Sequence, residues 1–444
     1  MKPFKNHLSS VAAVLVSLSV AFPLSAKSVD TQLSAKEQAI VAQLEQSLPR
    51  DLKHLEHIVN INSGTMNFAG VKDVGMYLKS EFDAIGFETK WLDGKSFNRA
   101  GHLVATYHAN KANAKKVLLI GHLDTVFAPE DDFQRYRKIN ETQVAGPGVT
   151  DMKGGNIIIL ALAKALKAEG VLDNISLQVV MTGDEEKSGR PLSASKKALI
   201  DGAKWADVAL GFEDGDGNVT TAVTARRGSI GWTLEVTAKS AHSSQIFRED
   251  IGAGAIYESA RILNSFREQL GEEPNLTFNP GAIVAGTRTS FDNKASTGSA
   301  FGKSNVIAKT ALVKGDIRAI SAEQLAKTKQ VMTAIVTDNL PHTQATIHFA
   351  DGYPPLTPTQ GNADLLEVYS KVSQDLGYGK VTAVDPRKAG AADISFTSGY
   401  VDMALDGLGL MGRGGHTKGE VAELDTFAQN SQKAALLIYR LSQQ

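Results

Sequence analysis

Short apolar runs separated by amphipathic stretches organise the first half of the chain. Lys116-Val117-Leu118-Leu119-Ile120, Ile175 to Met181 and Ala206 to Phe212 are nearly continuous apolar segments and read as buried strands. From Gln32 to Val59, apolar positions recur at three and four residues, which predicts a helix. Val71 to Ile85 and Asn156 to Ala168 are further predicted helices, the latter started by Gly154-Gly155. Strands alternating with helices predict an α/β fold with a mainly parallel sheet and helices on both faces.

The pattern changes near Arg226. Ser229 to Thr237 has strand character, Ile251 to Gln269 is helical and Gly281 to Thr287 is extended. Asn305 to Ile320 gives another strand, Ala322 to Asn339 a helix and Ala345 to Ala350 a strand. This β-α-β-β-α-β order is the split-βαβ arrangement of a small α+β domain. Pro354-Pro355 and the loop Thr357 to Gly361 mark a return to the first domain, which closes with helices over Ala363 to Leu376 and Asp425 to Ser442. The reading is a domain over residues 225–353 inserted between two parts of a larger one, 27–224 and 354–444.

Composition narrows the class. At 444 residues there is room for two domains and a large core, and 42% hydrophobic with 21% charged residues is ordinary for a soluble protein. A net charge near −1 without a basic cluster gives nothing that favours nucleic acid or an anionic membrane. Lys2 and Lys5, the apolar core Val11 to Ala21 and the small-residue site Leu24-Ser25-Ala26 predict a signal peptide over residues 1–26. The mature protein is then expected to be exported, periplasmic or secreted, with no membrane contact after cleavage; an uncleaved anchor is the alternative. The chain has no cysteine, so any metal site rests on His, Asp and Glu. That donor set suits catalytic zinc, cobalt or manganese.

Five segments offer such donors. Gly121-His122-Leu123-Asp124-Thr125-Val126 follows the Val117 strand, where open α/β sheets place their sites. There His122 can bind metal and Asp124 can orient it. Gly146-Pro147-Gly148-Val149-Thr150-Asp151 puts Asp151 at a tight turn, as a bridging carboxylate or an ordinary helix cap. Thr182-Gly183-Asp184-Glu185-Glu186 ends the Ile175 strand, as paired functional acids or a solvated turn. Phe212-Glu213-Asp214-Gly215-Asp216-Gly217 is acidic enough to read also as a calcium-like loop. Gly412-Arg413-Gly414-Gly415-His416-Thr417 presents an accessible histidine. Together they supply two histidines and several carboxylates, the inventory for two metals sharing a bridging acid.

In this combination and order the segments resemble the co-catalytic zinc metallopeptidase family of glutamate carboxypeptidase, acetylornithine deacetylase, succinyl-diaminopimelate desuccinylase and aminoacylase. The resemblance spans essentially the whole mature chain and is nearest in pattern to bacterial glutamate carboxypeptidase. It implies a zinc exopeptidase-like catalytic domain with an inserted dimerisation domain, and two zinc ions per subunit, replaceable by cobalt or manganese. It implies Asp151 as the bridging ligand, His122 and Glu213 on one metal, and Glu186 and His416 on the other. Glu185 is implied as general base and Asp124 as the orienting acid. Ala241-His242-Ser243-Ser244 resembles a motif whose histidine reaches the active site of a partner subunit; a surface histidine is the alternative. Asn305 and Arg318 resemble substrate-holding positions, although Arg318 could instead pair with Asp316. Two departures matter. Asp214 stands where many relatives have proline, which leaves Asp214 open as the ligand instead of Glu213. Gly390-Ala391-Ala392-Asp393 replaces a Gly-Ser-Asp sequence.

The implied activity is hydrolysis of the amide joining an acyl or peptidyl group to a C-terminal amino acid. The substrate is then a small peptide or an N-acyl amino acid. An N-acyl amino acid deacylase is the alternative with the same chemistry. A non-catalytic periplasmic binding protein is the third reading, disfavoured because no ligand or base is missing.

Overall fold

The computed structural model describes residues 33–444. The predicted signal segment lies outside the described residues. Six strands form the larger sheet, in the order Glu88–Asp93, Gly101–Tyr107, Ser176–Thr182, Lys116–His122, Val208–Gly211 and Met403–Leu405. The last four are mutually parallel, and Gly101–Tyr107 runs against its two neighbours.

Side-chain alternation explains why the strands look uniformly apolar. Val117 and Leu119 join the cluster of the helices Ala35–Val59, Phe68–Asp83, Gly154–Ala168 and Asp425–Ser442, whereas Leu118 and Ile120 pack on the other face with Leu199, Ala203, Ile394 and Phe396. Both faces are dry, so polar alternation is absent. The helix Gly154–Ala168 is buried on nearly every side, which accounts for its Ile-Ile-Ile-Leu run. Ser34 caps the first helix and forms a reciprocal pair with Glu37, so that helix begins at Ala35; Gln32, where the sequence reading starts it, lies outside the described residues.

A second, antiparallel sheet has the order Thr277–Gly286, Thr310–Arg318, Ile230–Ala238 and Thr343–Phe349. The helices Ala255–Leu270 and Ala322–Thr337 cover one face around Trp232, Leu234, Phe266, Val313 and Met332. The chain enters and leaves this sheet side by side. Ser229 and Tyr353 exchange both backbone hydrogen bonds (2.9 and 3.1 Å), as do Arg226 and Leu356 (3.1 and 3.0 Å).

Several elements differ from the sequence reading. The strand predicted from Asn305 begins at Thr310, because Asn305 sits in a turn pairing with the His242 segment. A hairpin, Arg288–Asp292 with Thr297–Phe301, follows the second strand of the small sheet. Its residues are largely exposed, so no core-facing period marks it. The strands Glu88–Asp93 and Gly101–Tyr107 and the helix Lys197–Trp205 were likewise not marked by the apolar pattern. No helix among the described residues is long and apolar enough to cross a membrane.

Candidate metal centre

Parallel strands deliver their carboxyl ends to one edge of the sheet. His122 is the last residue of its strand and lies in register with Thr182, the last residue of the next. Glu185 and Glu186 follow Thr182 by one turn, and Glu213 follows the neighbouring strand that ends at Gly211. Three loops therefore converge without any long-range search.

Asp151 and His416 arrive by a separate device. Short strands Gln143–Ala145, Val421–Glu423 and Gly412–Arg413 form a small antiparallel sheet. One strand leads into the Gly146–Asp151 turn, and the hairpin of the other two carries His416 at its tip. Glu420, buried at the base of that hairpin, accepts hydrogen bonds from the backbone N–H groups of Gly148 (2.9 Å), Thr150 (2.8 Å) and Asp151 (3.2 Å). Burial pushes the Glu420 carboxyl up to about 7, against the pull of those N–H groups toward its charged form. The peptide between Asp151 and Met152 is cis. His416 adopts φ +61°, a left-handed backbone costly for a non-glycine residue and found preferentially where function demands it.

The result is a compact set of donors. Asp151 Oδ1 lies 3.0 Å from His122 Nε2, and Asp151 Oδ2 lies 2.8 Å from His416 Nε2. Glu213 Oε1 is 3.5 Å from His122 Nε2, and Glu186 Oε2 is 3.1 Å from His416 Nε2. One carboxylate thus faces two histidines, each with its own second carboxylate. His122 Nδ1 donates to the backbone carbonyl of Asp124 (2.9 Å), which leaves Nε2 for the centre. Donor atoms of His122, Asp151 and Glu186 all lie within 4.8 Å of one another.

Electrostatics point the same way. Burial works against charge on His122, but Glu213, Asp124 and Asp151 outweigh it and raise its pKa well above the usual value. Hydrogen bonds that His416 donates to Asp151 and Glu186 lift its pKa to about 11. Burial raises Glu185, Glu186 and Glu213, and carboxylate neighbours reinforce each rise. Burial and the Asp151 charge also push Asp214 up to about 6. A cluster so short of positive charge, built from His, Asp and Glu with ring nitrogens pre-oriented, fits a pair of divalent cations.

The other sequence-derived residues are placed as follows. Asp124 is fully buried; it accepts from Thr65 Oγ1 (2.7 Å) and from the N–H groups of Glu185 (3.0 Å) and Glu186 (3.2 Å). It orients both acids as well as His122. Glu213, not Asp214, approaches His122; the Asp214 carboxylate turns toward Gly415. His242 is exposed and away from these donors, with Nδ1 accepting from Ser244 N–H (3.3 Å). Asn305 lies beside it, its carbonyl accepting from Ser243 N–H (2.9 Å). Arg318 pairs with Asp316 (3.0 Å), the alternative weighed from sequence.

Three participants were missed. Glu420 braces the Asp151 turn. Lys196, wholly buried, lies 3.1 Å from Asp184 Oδ1 and 3.0 Å from Asp393 Oδ1. Asp184 is therefore a buried ion-pair partner and not a solvated turn residue. Tyr353, where the chain returns from the second sheet, donates its hydroxyl between the Glu185 carbonyl and Asp393 Oδ1 (both 3.1 Å). Only Glu420 had a sequence signal, as an acid closing a glycine-rich run.

Removing the Glu420 brace should loosen Asp151. Glu420→Ala leaves three buried N–H groups without their acceptor, and metal affinity is expected to fall by about 10–100-fold. Competition with a chelating dye measures it; unchanged affinity would show that the turn holds itself.

Comparison with known proteins supplies the family. Residues 118–440 match the sequence profile of Peptidase family M20/M25/M40. Carboxypeptidase G2 of Pseudomonas sp. is 25% identical over 438 residues, covering 98% of each chain. A probable succinyl-diaminopimelate desuccinylase of Staphylococcus aureus is 30% identical over 213 residues, 45% of this chain and 48% of its own. Among solved structures, aminopeptidase PepT of Bacillus cereus superposes with a TM-score of 0.68 at 18% identity, covering 89% of this chain and 98% of that one. The profile match takes in both histidine loops and all the acidic segments between them, and on that basis the chain belongs to peptidase family M20/M25/M40 and is a hydrolase.

Proposed function

We propose that this hydrolase is an exported, dinuclear zinc carboxypeptidase that cleaves the amide joining an acyl or peptidyl group to a C-terminal amino acid. The observation that carries the reading is Asp151 set between His122 and His416, with Glu185 close enough to feel the charges of His122 and Glu186. His122, Asp151 and Glu213 would hold one ion, and Asp151, Glu186 and His416 the other. When bound, such a pair supplies Lewis acidity that acidifies water and polarises the scissile carbonyl.

The chain's own residues do the rest. Asp124 fixes the Glu185 and Glu186 backbone. Glu185 takes a proton from the attacking water as its oxygen adds to the carbonyl carbon. It returns that proton to the nitrogen as the C–N bond breaks, leaving a carboxylic acid and an amine. Arg318 would exchange Asp316 for the substrate's terminal carboxylate. The near full-length likeness to carboxypeptidase G2 supports this choice of bond.

The deacylase reading shares every step, and the relative named as a desuccinylase favours it. Peptides and N-acyl amino acids with the same C-terminal residue separate the two by relative kcat/KM. Activity should vanish on prolonged chelation and return with zinc, cobalt or manganese; full activity without metal would overturn the reading. A homodimer through the smaller sheet would let exposed His242 serve a partner's site, and sedimentation showing an active monomer would remove that role. Export predicts a mature chain beginning at Lys27 by mass spectrometry.

A further inference from the structure

Beside the metal centre lies a cavity of about 540 Å³, walled by Thr65, Met66, Val126, Pro129, Glu186 and Lys187 among others. Glu186 belongs to both, so the cavity adjoins the centre.

Its two loops are firmly braced. Thr65 N–H donates to the Thr125 carbonyl (3.1 Å), and Thr125 N–H to that of Ser63 (2.9 Å). Asn62 Nδ2 holds the carbonyls of Phe127 and Ala128 (3.1 and 3.3 Å). A Cβ on Gly64 would lie 2.2 Å from the Phe127 carbonyl oxygen, so backbone packs on backbone there. Thr65 also donates to Asp124, the acid that positions Glu185. Within this frame Leu123 and Phe127 are buried, yet Met66 and Val126 are 53% and 41% exposed. A single exposed apolar side chain is ordinary. Two on the wall of one rigid cavity beside a reaction centre match how small-molecule pockets are lined, and methionine adapts to varied shapes.

Charge says which end of the substrate belongs here. Among the described residues no arginine lines the wall to grip a free carboxylate, and its charged groups outside the metal centre are Glu130 and Lys187 alone. Arginines suited to a carboxylate are elsewhere: Arg318 on the smaller sheet, and Arg227, which reaches Thr277, the strand partner of Arg318.

The geometry points to this cavity as the pocket for an apolar acyl group on the carbonyl side of the scissile amide, with Met66 and Val126 as its specificity-determining side chains. The inference rests on the hydrolase mechanism above for its orientation, so its test includes a readout without turnover. Zinc-loaded Glu185→Gln protein is titrated calorimetrically with N-acetyl, N-hexanoyl and N-octanoyl forms of one amino acid, while active enzyme is assayed on the same series. Binding should tighten roughly fourfold per added methylene until the cavity is filled. Varying the C-terminal side chain at constant acyl group should not reproduce that trend. Met66→Ser with Val126→Ser should flatten the trend, and Met66→Trp should cut the octanoyl-to-acetyl ratio at least about tenfold. Both variants should keep their metal content and melting temperature. An acyl-length trend that is absent, or unchanged in both variants, or matched by the C-terminal series, overturns the assignment. Calorimetric binding that follows acyl length without hydrolysis would instead sustain the pocket and overturn the catalytic reading.

Discussion

Glu185→Gln enzyme, purified with its metals, is expected to hydrolyse its best amide about 100- to 10,000-fold more slowly than the parent, the range for loss of a positioned general base. Glutamine keeps the shape of the side chain and cannot accept the proton. The backbone is held from both sides, its N–H by Asp124 (3.0 Å) and its carbonyl by the Tyr353 hydroxyl (3.1 Å). Among the described residues, the hydrogen bonds of Glu185 are made by its backbone. Burial, reinforced by the charge of Asp393, holds its pKa well above that of an ordinary glutamate. Metal content should be unchanged, whereas Glu186→Ala should lose about one equivalent of the two. Undiminished turnover by Glu185→Gln would remove the proposed base.

The second large effect is on stability. Lys196→Met is expected to cost about 3–5 kcal/mol at neutral pH, because one partner is removed from a buried ionic group. Lys196 and Asp184 are both inaccessible, and Asp393 nearly so. Asp184 also accepts from Ser195 Oγ (2.6 Å) and Gly189 N–H (2.7 Å), and Asp393 from Thr182 Oγ1 (2.5 Å), so neither acid can turn to solvent. Burial alone would raise the Asp184 pKa; Lys196 is the strongest influence bringing it below the ordinary value. In the parent, that depressed pKa contributes stability above the unfolded-state pKa and loses it as pH falls through the folded one. In the variant the sign reverses. With Lys196 gone, burial favours the protonated form of Asp184, so the deficit should shrink as pH is lowered. Urea unfolding at neutral and mildly acidic pH reads both; a deficit under about 1 kcal/mol at neutral pH would mean the acids find other partners.

Sequence revealed the centre unevenly, and the reasons are physical. His122, Glu186 and Glu213 were legible because each follows a recognisable apolar strand, and parallel strands fix a common edge. Asp151 and His416 were visible as residues in glycine-rich turns. The strands that aim them are two or three residues long, too short to show any period. Asp184 reads in sequence only as a turn residue, because its partner Lys196 starts a short helix with no local mark of burial. A lysine looks alike in sequence whether it snorkels or is sealed between two acids. Tyr353 was silent for a related reason: its role depends on where the chain re-enters, and two adjacent prolines signal a turn without saying what it touches. The second sheet was legible in order, while its exposed hairpin had no buried face to reveal it.

The placement of the small His416 sheet has a consequence for assembly in time. His122, Asp151, Glu186 and Glu213 all precede the inserted sheet, whereas Asp393, His416 and Glu420 follow it. A chain emerging from synthesis therefore displays an acidic half-centre long before its last histidine, its turn brace and the second counter-acid of Lys196 exist. Until the carboxyl-terminal hairpin docks, Asp151 has one histidine and no anchor. Maturation of the catalyst is tied to completion of the polypeptide, and fragments cut within the inserted sheet should be inert.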